Sequence, residues 1–280
     1  MKKIKLGFST CPNDTFIFDA MVHHKVDTEG LEFELLLADV EELNKLAFLN
    51  ELDITKLSYH AYAYLWEKYT ILNSGSALGR NNGPILISKR KIYPDEINDI
   101  KIGIPGKNTT ANLLFSIAFP QATQKTEYLF SDIEEAIFSE EIDAGLIIHE
   151  TRFTYEKSGL KKIIDLGEYW EKETKAPIPL GGIVVKKSLD NELKLKIDRI
   201  LKRSIDYAFK NPKSSIAYMK KYAQEMREEV MYQHIKLYVN DFTFCLGKEG
   251  QRAILQLYKK ALKENIIKKM PQDIFVQNFN

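Results

Sequence analysis

Short strand-like segments alternate with helical segments over the first two-thirds of the chain, and this pattern restricts the possible folds most strongly. Ile4, Leu6 and Phe8 alternate as in a strand, and the run from Phe16 to Val22 is typical of a helix. Regular alternation of this kind is typical of βαβ units, in which helices connect parallel strands and cover the sheet. The sequence therefore predicts an α/β fold with mainly parallel sheets.

Two polar junctions predict a division into two lobes. Each junction, at Ser88–Lys91 and at Lys186–Ser188, joins strand-like segments, and amphipathic helices follow the second one. A chain that leaves one lobe at the first junction and returns at the second encloses a cleft, and such clefts bind small molecules. We predict a first lobe of residues 1–90 and 186–280, which carries the C-terminal helices, and a second lobe of residues 91–185.

Charge and hydropathy exclude two classes of partner. The chain has 40 basic and 39 acidic side chains, with a net charge of +1, whereas a nucleic-acid-binding protein concentrates basic residues. The N-terminus lacks the apolar segment of a signal peptide, and no run approaches the roughly 20 apolar residues of a membrane-spanning helix. We expect a cytoplasmic protein that binds neither nucleic acid nor membrane.

The cysteines and histidines predict no metal site. Cys11 and Cys245 are far apart in the sequence and form no CxxC unit, so a disulfide framework or zinc site is not expected. The five histidines show neither HxH nor HExxH spacing. These observations also fit a reducing compartment.

The segment Ala144–Tyr155 carries the clearest chemical signal. An apolar strand-like run ends in His149, Glu150, Thr151 and Arg152. Ligands of open α/β sheets collect beyond the carboxyl ends of strands, and a histidine there can exchange a proton near pH 7. His149 is therefore a candidate catalytic base, although a packed structural histidine fits the same local pattern.

Three other segments place polar residues after predicted strands. The loop containing Ser9 and Asn13 follows the first strand and is typical of a loop that faces a ligand. Lys56 precedes Ser58, a natural helix N-cap, so a carboxylate or phosphate could bind there; an ordinary cap beside a solvated lysine is the alternative. Thr109 and Thr110 begin another helix, where their hydroxyls either cap the helix or bind a ligand.

The chain resembles the 1,4-dihydroxy-6-naphthoate synthase family, which acts in the futalosine route to menaquinone and has a type II periplasmic-binding-protein-like fold. Five segments in order carry this resemblance: residues 9–16 (STCPNDTF), 55–59 (TKLSY), 76–80 (SALGR), 105–110 (PGKNTT) and 145–153 (GLIIHETRF).

The resemblance implies a carbon–carbon lyase without metal or organic cofactor. It would convert cyclic dehypoxanthine futalosine into 1,4-dihydroxy-6-naphthoate and dihydroxyacetone. The family's histidine base falls on His149, and its substrate-contacting segments fall on Thr55-Lys56-Leu57 and Thr109-Thr110. A non-catalytic protein of the same fold that binds or senses small carboxylates is the alternative.

Three cations are candidates to bind the aromatic carboxylate of this substrate. Arg152 or Arg80 would bind it through two parallel N–H groups, and Lys56 would bind it as a point charge. The sequence does not choose among them.

Overall fold

Each of two lobes is built on one β-sheet in the computed structural model, which describes residues 3–223 and 227–277. Sheet 1 has the strand order β2-β1-β3-β11-β4, and β5 pairs with β11 beyond this order. Its strands are β1 (Ile4–Phe8), β2 (Phe33–Leu37), β3 (Ile54–Ser58), β4 (Tyr69–Ile71), β5 (Ala77–Gly79) and β11 (Ile178–Lys186). Sheet 2 has the order β10-β6-β9-β7-β8. Its strands are β6 (Ile85–Ser88), β7 (Ile102–Ile104), β8 (Lys125–Glu127), β9 (Ala144–Ile147) and β10 (Lys161–Asp165).

Helices connect and cover these sheets. The α-helices are α1 (Pro12–Val22), α2 (Val40–Phe48), α3 (Tyr59–Leu65), α4 (Thr110–Ala118), α5 (Ile133–Phe138), α6 (Leu166–Thr174), α7 (Asn191–Lys210), α8 (Ile216–Tyr222), α9 (Glu228–Tyr238), α10 (Asp241–Phe244) and α11 (Gly247–Lys263). Short 3₁₀ helices occur at Pro94–Asp99, Phe130–Asp132, His149–Phe153 and Tyr155–Ser158. Within the described ranges, no helix is long and apolar enough to cross a membrane.

The predicted α/β class is confirmed, but the sheets are mixed rather than mainly parallel. In sheet 1, β1 is parallel to β2 and β3, whereas β11 is antiparallel to β3, β4 and β5. In sheet 2, β7 is parallel to β8 and β9, whereas β6 is antiparallel to β9 and β10. A helical crossover produces parallel neighbours. The strands β6 and β11 instead enter their sheets directly from the other lobe, and they therefore run against their neighbours.

The chain crosses between the sheets earlier than the polar junctions predict. Strand β6 already belongs to sheet 2, and β11 belongs to sheet 1, so the crossing segments are residues 80–84 and 175–177. The predicted limit at 90/91 assigns β6 to the first lobe, and the predicted limit at 185/186 assigns most of β11 to the second lobe. Both assignments are wrong, because β6 belongs to sheet 2 and β11 belongs to sheet 1. The reason is that β6 is fully buried and pairs on both sides, so the polar turn after Ser88 lies within the second lobe.

The C-terminal helices cover the first lobe. The amphipathic helix α7 packs against α1, and the hydroxyl of Ser204 donates to the carbonyl of Ile17 at 2.6 Å and accepts from the N–H of Met21 at 3.1 Å. Beneath them, the rings of Phe8 and Phe18 stack with centroids 4.4 Å apart. This packing holds β1 and α1, and with them Ser9 in the short loop between them and Asn13 in the first turn of α1.

The first turn of α3 contacts the loop before α4 and thereby connects the two lobes. The N–H of Ala61 donates to the carbonyl of Asn108 at 3.1 Å, and Nδ1 of His60 lies 3.2 Å from the carbonyl of Thr109. Nearby, the carboxylate of Glu41 accepts from the side chain of Asn108 at 2.7 Å. The N–H of His60 also donates to the hydroxyl of Thr110 at 3.4 Å, so these two N–H groups at the start of α3, which the sequence suggests as ligand donors, are satisfied by protein acceptors.

His60 makes the stability of the fold dependent on pH. Burial disfavours the charged imidazolium and lowers the pKa of His60 to about 4. Between pH 6.5 and 4, the unfolded chain binds a proton at this residue that the folded protein does not. We expect the free energy of unfolding to fall through this window by on the order of 3 kcal/mol, because one pKa unit corresponds to about 1.4 kcal/mol.

Urea unfolding from pH 7 to pH 4 tests this expectation in the wild type and in His60→Asn. The asparagine keeps a donor for the carbonyl of Thr109 but does not titrate, so the variant should lose less stability over the window. Equal pH dependence in the two proteins would show that His60 does not contribute.

Candidate active site

A cavity lies between the lobes, at the ends of four strands. Its wall includes residues that follow β1, β7 and β9 and the last residues of β3, together with residues from β11 and α9. The residues that carry polar side chains or free backbone groups into this wall are Ser9, Asn13, Asp14, Lys56, Ser58, Asn82, Thr109, Thr110, His149 and Tyr238. The predicted location of the ligand site beyond the strand ends agrees with this geometry.

His149 stands on the cavity wall directly beyond β9. Its backbone adopts φ 57°, a left-handed conformation uncommon for residues other than glycine, and it begins the 3₁₀ helix His149–Phe153. The ring is half-buried, and the ring of Phe130 packs edge-on against it at a centroid distance of 4.9 Å. Nδ1 lies 3.3 Å from Sγ of Cys11, whereas Nε2 is buried without a hydrogen-bond partner in the described part of the chain.

Cys11 and Glu150 lie beside His149, and neither side chain is among those that line the cavity. Burial, reinforced by the negative charge of Glu150, raises the pKa of the Cys11 thiol well above its usual value. The thiol is therefore neutral, and its sulfur can accept a hydrogen bond from Nδ1–H of His149. Glu150 is buried as well, and its Oε2 has no hydrogen-bond partner among the described residues.

A buried ion pair connects the first turn of α1 to the end of β3. Nζ of Lys56 lies 2.7 Å from Oδ1 of Asp14, and both side chains are more than nine-tenths buried. The other oxygen of Asp14 accepts from the N–H and the hydroxyl of Ser9, and Asn13 donates to Oδ1 at 2.8 Å. Lys56 therefore reaches the cavity as one half of a neutral pair.

The start of α4 supplies free backbone donors to the cavity. Thr109 is the N-cap, because its hydroxyl accepts from the N–H of Asn112, and the hydroxyl of Thr110 donates to the carbonyl of Leu180 at 2.5 Å. The N–H groups of Thr110 and Ala111 have no acceptor within the helix. Because both residues lie on the cavity wall, these groups and the positive end of the helix dipole can bind an anion there.

The structure does not bring either predicted arginine to the cavity. Arg152 donates to the Asp165 carboxylate at 2.6 Å and to the carbonyl of Gly83 at 2.5 Å, and it faces a separate polar depression. Arg80 is half-exposed and pairs with Glu171 at 3.4 Å. Thr55 also lies outside the wall, since it is fully buried in β3, whereas Leu57 and Ser58 line the cavity.

Several residues that the sequence does not single out contribute to the site. Asn82 is fully buried on the cavity wall, and neither Nδ2 nor Oδ1 has a partner in the described structure. His234 on α9 is fully buried with its ring centroid 6.2 Å from that of His149, and burial holds its pKa well below the usual value. Asn82 lies in the polar loop Arg80–Gly83, and His234 lies in an amphipathic helix. Both patterns are common in proteins, so the sequence does not identify either residue as part of a site.

A family model described as menaquinone biosynthesis matches residues 4–263. The chain belongs to this menaquinone biosynthesis family. It is 40% identical over 276 residues to the 1,4-dihydroxy-6-naphthoate synthase of Thermus thermophilus, a match that covers 99% of this chain and 100% of that protein. It is also 35% identical over 275 residues to the synthase of the same name from Streptomyces coelicolor, covering 96% of each. The predicted family is confirmed, and these matches support a role in menaquinone biosynthesis.

Two solved structures show the fold. A crystal structure of a protein from Archaeoglobus fulgidus has a TM-score of 0.90 at 37% identity and covers 95% of this chain and 98% of that chain. The periplasmic aliphatic sulphonate binding protein of Escherichia coli has a TM-score of 0.66 at 10% identity, with 100% and 95% coverage. The predicted periplasmic-binding-protein-like fold is therefore confirmed.

We expect Asp14→Asn to destabilise the protein by about 3–5 kcal/mol, because it leaves the Lys56 ammonium buried without a carboxylate. Urea unfolding at pH 7 measures the change. The double variant Asp14→Asn/Lys56→Met should recover most of the loss, and Asp206→Asn, which breaks the exposed pair with Lys210, should cost less than about 1 kcal/mol. A small effect of Asp14→Asn alone would contradict the importance of this pair.

Asn82→Leu should stabilise the ligand-free protein by about 1–2 kcal/mol, since it replaces an unpaired buried amide by an apolar side chain of similar size. Asn44 provides the matched control, because it is equally buried but bonds to Ser58 and Glu41. Asn44→Leu should therefore lose stability in the same thermal or urea unfolding experiment. A loss in both variants would show that the Asn82 amide is satisfied in solution.

Proposed function

We propose that this protein is a lyase that converts cyclic dehypoxanthine futalosine into 1,4-dihydroxy-6-naphthoate and dihydroxyacetone, with His149 as the general base. The observation that carries the proposal is the state of the His149 ring. Nδ1 contacts the sulfur of Cys11, and Nε2 is buried without a hydrogen-bond partner among the described residues, on a side chain that lines the cavity between the lobes.

The contact between Sγ of Cys11 and Nδ1 of His149 is compatible with the tautomer that a base requires. When Nδ1 carries the hydrogen and donates it to sulfur, the lone pair of Nε2 is free to accept a proton from the substrate. Proton removal starts the electron rearrangement that cleaves the carbon–carbon bond and leaves the aromatic product. A positioned histidine base contributes typically about 10²–10⁴-fold to such a rate.

The first turn of α4 is the strongest candidate to bind the aromatic carboxylate. The backbone N–H groups of Thr110 and Ala111 can donate to the carboxylate oxygens, and both residues line the same cavity as His149. Lys56 adds a more distant positive field that Asp14 largely neutralises. Asn82 offers both a donor and an acceptor for the remaining hydroxyl or carbonyl groups of the substrate.

A non-catalytic binding protein for small carboxylates is the second candidate. The anion-binding start of α4 would serve that function equally well, and the resemblance to the sulphonate-binding protein concerns the fold alone. The unpaired imidazole favours the lyase, because a binding protein has no use for a buried base without a partner. The two relatives named as synthases point in the same direction.

His149→Asn tests the proposal directly. Asparagine tolerates the left-handed backbone of this position but cannot accept the proton. We expect the release of naphthoate, followed by chromatography, to fall by about 10²–10⁴-fold while substrate affinity in a calorimetric titration changes little. Circular dichroism confirms folding.

His24→Asn is the matched control, because His24 is exposed and distant from the strand ends that form the cavity. It should retain full activity. Turnover of His149→Asn near the wild-type rate would eliminate His149 as the base. Substrate binding without any conversion by the unmodified protein would instead establish the binding-protein function.

A further inference from the structure

Three potential metal ligands meet beside the cavity. Cys11, His149 and Glu150 each place one ligand atom within 4.8 Å of the others, and the distance from Sγ of Cys11 to Nδ1 of His149 is 3.3 Å. In a tetrahedral zinc site with bonds of about 2.0–2.3 Å, neighbouring ligand atoms lie roughly 3.3–3.6 Å apart. The sulfur and nitrogen already have this spacing, so only the carboxylate needs to move closer.

The Glu150 carboxylate supplies a second, independent indication of a cation. The side chain is only 5% exposed, yet its Oε2 has no hydrogen-bond partner in the described part of the chain. An unpaired buried carboxylate oxygen is costly, and a bound cation is one of the few groups that removes this cost. Lys56, whose charge acts on the neighbouring His234, is already paired with Asp14 at 2.7 Å.

We propose that Cys11, His149 and Glu150 form a binding site for a divalent transition metal ion, with Zn²⁺ as the preferred ion. Zn²⁺ takes imidazole, carboxylate and thiolate ligands, and three protein ligands leave a fourth position for water. The neutral thiol of Cys11 would release its proton to the solvent when its sulfur coordinates the ion. Mg²⁺ and Ca²⁺ prefer oxygen ligands and are disfavoured by the sulfur. The half-buried ring of His149 on the cavity wall provides the entry route.

The ion would act as an inhibitor, a consequence that rests on the proposed function. Coordination uses the lone pair of Nδ1, and the hydrogen of the neutral ring then resides on Nε2. With that nitrogen protonated, His149 cannot accept a proton from the substrate. Zn²⁺ would therefore inhibit the lyase reversibly, and a chelator such as EDTA would restore the rate.

Cobalt substitution tests the site without substrate. Co²⁺ is titrated into the reduced, chelator-treated full-length protein, and the absorption spectrum is recorded. We expect a near-ultraviolet thiolate-to-cobalt charge-transfer band that saturates at one ion per chain and disappears when Zn²⁺ is added. Absence of the band from the folded wild type would overturn the proposal.

The two cysteines provide a matched pair of variants. Cys11→Ser should abolish the charge-transfer band and weaken binding by more than the roughly 10–100-fold typical of outer-shell changes, whereas Cys245→Ser, at a half-buried position near Asn73, should retain both. Glu150→Gln should keep the band but bind more weakly, and it preserves the test if Cys11→Ser fails to fold. A band that persists in Cys11→Ser or is lost in Cys245→Ser would place the ion elsewhere and overturn the proposal.

Spectroscopy and activity separate this proposal from the proposed function. A Cys11-dependent cobalt band in a protein that never releases naphthoate would establish the metal site and refute the lyase. Naphthoate release without a cobalt band would support the lyase and refute the metal site. Inhibition by Zn²⁺ that Cys11→Ser does not relieve would show that the ion acts at another position.

Discussion

The buried ion pair between Asp14 and Lys56 determines the shape and the electrostatics of the cavity. Burying two charges costs several kcal/mol per ion, and their attraction offsets this cost only when further hydrogen bonds complete the geometry. Asp14 meets this condition, because it accepts from Ser9, Asn13 and Lys56. The pair thereby fixes the first turn of α1 against the end of β3. It also leaves no unpaired ammonium among the described residues that line the cavity, so the backbone dipoles at the start of α4 are the positive groups open to an anionic ligand.

The sequence places predicted site residues on the cavity wall where they lie at a strand end. His149 comes after β9, Lys56 lies in the last residues of β3, and Thr109 follows β7 by a short turn. Because the ends of the strands converge, these residues meet even though they are far apart in the chain. This local rule finds the cavity wall without knowledge of the strand order.

The two arginines show where that rule fails. Arg152 binds Asp165, the N-cap of α6, and Arg80 binds Glu171 within the same helix. The helix α6 begins Leu166-Gly167, and the glycine weakens the sequence signal for a helix. When the sequence does not predict α6, the acceptors of both arginines are not apparent. Each arginine then resembles a free cation that could bind a ligand. The partner of a long charged side chain depends on tertiary contacts, so spacing in the sequence does not reveal it.

Strand β11 explains why sheet 1 is mixed, although the sequence predicts mainly parallel sheets. It contains Pro179, Gly181 and Gly182, residues that are depleted in strands, and the sequence predicts a strand only from Ile183 to Val185. Pairing with β3 and β5 on its two sides overrides this weak propensity, and the added Cβ of any residue at Gly181 would lie 2.7 Å from the carbonyl oxygen of Leu57. The same close pairing turns a predicted parallel sheet into a mixed one.

The groups that can react or bind a ligand in and beside the cavity are buried polar atoms that the fold leaves without hydrogen-bond partners. Nε2 of His149, Oε2 of Glu150 and the amide of Asn82 are all buried without partners among the described residues. Each such group lowers stability by about 1–3 kcal/mol, so the surrounding packing has to offset several of them at one place. A base must keep its lone pair unpaired in order to take a proton. The other ring nitrogen, Nδ1, lies beside the sulfur of Cys11 and the carboxylate of Glu150, which are ligands for a transition metal ion. A metal ion on Nδ1 would move the ring hydrogen to Nε2, so the arrangement that suits proton transfer is also open to metal inhibition.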